Sequence, residues 1–203
     1  AWRAPRLGTR MAEPHTNPLW VWLFQQRINA YQATELFRGP SPFEAGPGWC
    51  CDRFGQSETV LPDGRTVWIA GEHEDHYDPD FYIYNDVIVC APGGNVDIYG
   101  YPETVFPPTD FHSATLVGKR IVILGNVGHP DQRKRGFTPV YSLTLDSWDI
   151  APIRVWGTGP GWIGNHRARL TPEGGSLIIT GGKVCSESGA LVEESTRGDQ
   201  RST

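Results

Sequence analysis

Glu72-His73-Glu74-Asp75-His76-Tyr77-Asp78-Pro79-Asp80 places two imidazoles and five carboxylates within nine residues. His73 and His76 with a carboxylate such as Asp78 make the two-histidine, one-carboxylate set that non-haem iron uses, or a zinc site. In a loop, however, His-x-x-His does not fix the geometry that a helix face would give. The string also lacks the glycine and ligand spacing of an EF-hand loop. Its competing reading is a solvated, charged loop. A second charged run, His129-Pro130-Asp131-Gln132-Arg133-Lys134-Arg135, has the opposite sign. It suits an anionic ligand or an acidic partner segment, or is simply a solvated turn. The two runs could also pair with each other, although exposed pairs contribute little. No Ser/His/Asp order, phosphate loop or nucleophile elbow is present. Gly157-Thr158-Gly159-Pro160-Gly161 is glycine-rich but lacks a strand–helix context and reads as a connection.

These runs lie between recurring strand patterns. Val67-Trp68-Ile69-Ala70-Gly71, Ile121-Val122-Ile123-Leu124-Gly125 and Leu177-Ile178-Ile179-Thr180-Gly181 are apolar runs closed by glycine, and those glycines are spaced by 54 and 56 residues. Each run follows a turn: Pro62-Asp63-Gly64, Gly118-Lys119 or Pro172-Glu173-Gly174. Pro and Gly serve tight turns there. Further strands are expected over 112–117 and 165–170 before the turns, and over 81–90, 96–101, 139–145 and 148–153 after the polar loops. Four short strands per period make one antiparallel blade of a propeller.

At these residues the sequence resembles the kelch repeat family. Leu177-Ile178-Ile179-Thr180-Gly181-Gly182 is the cleanest match, and Ile121–Asn126 with Tyr141 and Trp148 is the most complete repeat. The first copy has Ala70-Gly71-Glu72 with Tyr82 or Tyr84 as its aromatic. WD40 repeats fit less well, because their period is shorter and Trp148-Asp149 occurs once only. The resemblance implies an all-β fold: partial kelch-type β-propeller blades, each a four-stranded antiparallel sheet, over residues 49–184. It covers two repeats and the front half of a third, whereas closed propellers use about 4–8 blades.

Most kelch propellers bind proteins through the loops of one face, and a minority are enzymes. The resemblance therefore implies a non-catalytic protein-interaction module with no cofactor. Its contacts on the loop face would be His73, Asp75, His76, His129, Arg133, Lys134, Arg135 and Trp162. The first strand of a blade lines the central channel, which makes His112, His166 and Arg167 channel-lining candidates. The competing reading of His112 and His166 is a repeat-defined hydrogen bond that ties blades together. The alternative function is a metal-dependent kelch-like enzyme, a lyase or oxidase, using His73, His76 and neighbouring carboxylates.

Composition narrows the partners. The 203 residues carry a net charge of −5, which argues against a nucleic-acid partner held by phosphate contacts. No apolar run is long enough for a membrane span. The 24 Gly and 17 Pro suit a turn-rich β fold. Cys50, Cys51, Cys90 and Cys185 match no zinc spacing and favour a reducing, cytoplasmic setting. Asn17-Pro18 starts an amphipathic helix expected over 18–37, with Trp20, Phe24, Ile28 and Tyr31 on its apolar face and a linker to residue 48. That face is expected to cover an open sheet face or edge. Residues 1–17 read as flexible and 185–203 as a polar tail. The incomplete ring predicts a compact monomer or a homodimer.

Overall fold

The structure, a computed structural model, describes residues 2–74, 77–186 and 188–193. Its N-terminal part holds a two-residue strand β1 (Glu13–Pro14) and helices α1 (Pro18–Gln26), α2 (Ala30–Leu36) and α3 (Pro42–Ala45). Strands β2 (Ser57–Val60), β3 (Thr66–Ile69), β4 (Glu72–His73), β5 (Tyr82–Ile83), β6 (Val87–Cys90) and β7 (Val96–Gly100) follow. Next come β8 (Ser113–Val117), β9 (Arg120–Leu124), β10 (Val140–Thr144) and β11 (Ile150–Pro152). The last strands are β12 (Ile163–Gly164), β13 (Arg167–Leu170), β14 (Leu177–Thr180), β15 (Lys183–Cys185) and β16 (Leu191–Glu193).

The fold is mainly β and its sheets are antiparallel. One sheet has the order β1-β7-β6-β3-β2 and a second the order β11-β10-β9-β8. The smaller sheets are β12-β15-β16, the hairpin β13-β14 and the hairpin β4-β5. Turn chemistry sets the registers. Gly64 and Gly94 take φ 84° and close their turns onto Leu61 O and Ala91 O. That left-handed conformation is open to glycine at little cost.

The core lies between the two large sheets. Val67, Ile69, Val87 and Val89 of the first meet Ile121, Ile123, Leu143 and Ile150 of the second. Tyr101 and Phe106 fill the space between them, and Tyr101 Oη donates to Trp148 O at 2.7 Å. The other face of the first sheet is covered by α1, where Trp20, Leu23 and Phe24 pack with Trp49, Ile88 and Ile98. That first sheet is therefore buried on both faces, which explains the continuous apolar run Val87-Ile88-Val89.

Several expectations are corrected. The helix expected over 18–37 is two helices. Arg27 ends α1 in the left-handed region, and Asn29 starts α2 with a capping box to Gln32. Trp20 and Phe24 pack as expected and Ile28 is partly buried, but Tyr31 is 69% exposed and takes no part in that packing. Residues 2–17 are not a loose arm: β1 pairs with β7, and Gly8 N donates to Tyr101 O at 3.0 Å. The edge of β7 offers unpaired backbone groups, and this segment takes them up. The strand expected over 81–90 breaks at 84–86, where buried Asn85 and Asp86 turn to other partners. The polar tail expected from 185 begins inside β15, and β16 follows it, pairing antiparallel with β15. Residues 194–203 lie outside the described residues. No helix among the described residues is long and apolar enough to cross a membrane.

Candidate functional site

Repeat-equivalent residues tie the successive sheets together. Phe111 N donates to Gly55 O and Asn165 N to Phe111 O, both at 2.9 Å. All three residues have positive φ. One residue further on, His112 Nε2 lies 2.8 Å from Ser57 Oγ, and His166 Nε2 lies 2.8 Å from Ser113 Oγ. Burial pushes the His112 imidazole down to about 3, with His166 adding to the effect. Burial also lowers His166. Both rings are thus neutral ties between strands, as the competing reading had it, and they are buried. Arg167, where a third serine would stand, is exposed and joins no such pair.

A cleft of about 510 Å³ opens where the loops of the first two large sheets converge. Its walls are Glu72 on β4, Phe81 and Ile83 at β5, Asp110 before β8, and His129 and Arg133 after β9. Asp110 is fully buried and firmly held. Its Oδ1 accepts from Gly128 N at 2.6 Å, its own N donates to Asn126 Oδ1 at 2.9 Å, and its O accepts from Val127 N at 3.1 Å. Burial raises the Asp110 carboxyl above the usual carboxylate range, although hydrogen bonds from Gly128 and with the Glu72 side chain pull it back. The cleft thus holds two adjacent carboxyl groups, one of them deeply buried. His129 sets its ring edge-on to Phe81, with centroids 5.8 Å apart. Arg133 does not neutralise the pair; its guanidinium donates to Val127 O, Gly128 O and Gly189 O and braces the loop.

Two members of the loop-face set, His129 and Arg133, meet in this cleft. Lys134 and Arg135 are exposed beside it. Trp162 is 5% exposed and donates Nε1 to Val127 O at 3.3 Å, so it supports the loop from below and offers no contact surface. His73 points away from the cleft, because neighbouring residues of a strand alternate sides. It is buried beside the buried Cys50 thiol. Burial alone would raise Cys50, but the neighbouring His73 imidazole, with backbone groups of Asp52 and Ala30, holds the thiol below its ordinary value. Asp78 is exposed and stands apart from the groups nearest His73, which are Glu74 and Asp80. Asp75 and His76 lie outside the described residues.

Sequence reasoning counted Glu72 only among the carboxylates around His73 and did not single out Asp110. A signal existed for Asp110: it occupies the repeat position held by Phe54 and Gly164, a charge where the other copies carry none. No protein-family model matches this chain, and no curated protein matches it.

Proposed function

We propose that the chain is an arc of a kelch-type propeller and acts as a non-catalytic protein-interaction module. Its binding face is the one where the loops after β3, β7 and β9 converge, and the cleft receives a basic side chain of the partner. The observation that carries this is the deeply buried Asp110 in the wall of the cleft beside Glu72: backbone groups donate to it, and no cationic side chain among the described residues pairs with it. A lysine or arginine entering the cleft would pair with the Asp110 carboxylate and offset the cost of its burial. The propeller part of the proposal is supported by the four strands β8–β11 pairing in sequential order and by the repeated Ser57–His112 and Ser113–His166 ties.

The test is selection of displayed peptides on the immobilised chain. Enrichment of peptides with a lysine or arginine anchor is expected, with binding weakened by salt. In Glu72→Gln and Asp110→Asn, each anchored peptide should bind about tenfold or more weakly, the scale of a lost charge-assisted contact. Peptides that bind both variants as well as the parent chain would overturn the assignment of the cleft.

A further inference from the structure

We infer that His73, Glu74 and Asp80 form a binding site for a divalent cation of the zinc or manganese class, on the side of the β4–β5 hairpin away from the carboxylate cleft. The site is independent of the interaction function proposed above. One nitrogen of His73 and one oxygen from each carboxylate lie within 4.8 Å of one another. His73 Nε2 is 3.4 Å from Glu74 Oε1 and 3.9 Å from Asp80 Oδ2.

The second, separate observation is the state of Nε2. His73 is only 6% exposed, and its buried Nε2 makes no hydrogen bond among the described residues. A buried polar atom without a partner is costly, and here it is aimed at two carboxylate oxygens. Those oxygens are placed too far or at too poor an angle for good N–H···O bonds. They suit a cation standing between them at about 2.0–2.2 Å from each donor. Closing onto it requires movement of the half-exposed Glu74 side chain and a modest shift of Asp80.

The imidazole sits in the interior beside the Cys50 thiol, which is 0% exposed. One imidazole with two carboxylates is a mixed N,O,O set, borderline in softness. It favours zinc or manganese over calcium, which prefers all-oxygen shells, and leaves positions open for water.

The test uses the full 203-residue chain. Manganese(II) is titrated and the free ion followed by electron paramagnetic resonance; zinc(II) is titrated by calorimetry. Manganese is included because thiols bind it poorly, so Cys50, Cys51, Cys90 and Cys185 do not confuse the count. Saturable uptake of one ion per chain is expected, with magnesium and calcium competing weakly. Glu74→Gln and Asp80→Asn should each weaken uptake about 10- to 100-fold while leaving the circular dichroism spectrum unchanged. Absence of saturable uptake up to the millimolar range would overturn the site. So would full-strength uptake by a folded Glu74→Gln/Asp80→Asn double variant. Neither result bears on peptide binding in the cleft.

Discussion

Asp86, just before β6 of the first sheet, and Asp110, just before β8 of the second, are both buried carboxylates, and the chain treats them in opposite ways. Asp86 is fully partnered: it takes a forked ion pair from Arg53, and Trp49 Nε1 donates to it at 2.9 Å. The Arg53 guanidinium also lies 3.4 Å from the Tyr84 ring centre. Asp110 receives backbone donors on one side only and meets a second carboxyl, Glu72, on the other. A buried carboxylate with its own cation is part of the framework. One whose neighbour is another acid leaves room for a cation from elsewhere.

The largest expected effect tests the framework side of this contrast. Arg53→Ala strands Asp86 as a buried, uncompensated charge and should cost about 3–5 kcal/mol, measured by urea unfolding. A loss no larger than that of an exposed substitution would show Asp86 to be solvated and the contrast false.

The next effect concerns the neutral histidine ties. His112 binds a proton more readily unfolded than folded, because burial depresses its native pKa to about 3. Stability from this group is therefore present above the unfolded pKa of about 6.5 and is lost as pH falls toward 3, at no more than about 1.4 kcal/mol per pH unit. His112→Gln places there the residue that the first repeat carries as Gln56. It should flatten the acid limb of the stability–pH curve. An unchanged acid limb would mean that His112 is not a buried neutral tie.

The smallest effect belongs to the cleft. Asp110→Asn should change stability at neutral pH by about 1 kcal/mol or less, since no cationic side chain among the described residues pairs with the carboxylate. The sign with pH is opposite to that of His112. The folded pKa of Asp110 is raised, so the native state holds its proton more tightly than the unfolded chain. Stability from Asp110 falls as pH rises through the carboxylate range, and the variant should lose that slope. A cost approaching that of Arg53→Ala would move Asp110 into the framework and leave the cleft without its anchor.

Strand positions and turns were legible in the sequence because their causes are local. Apolar runs closed by Gly71, Gly125 and Gly181, and turns at Pro62-Asp63-Gly64 and Pro172-Glu173-Gly174, became β3, β9 and β14 and the hairpins before them. The recurrence of His112 and His166 likewise announced a repeated tie. Other features were decided only by tertiary structure. Arg27 entering the left-handed region divided the N-terminal helix. The unpaired edge of β7 ordered a segment whose proline and arginine content reads as loose. Glu72 and Asp110 share a cleft because the faces of two sheets pack together, and His73 meets Asp80 because the β4–β5 hairpin folds the loop back. Local patterns fix which residues are strand and which are turn. Which polar loop residues become neighbours depends on how the sheets pack, and no periodicity in the chain records that.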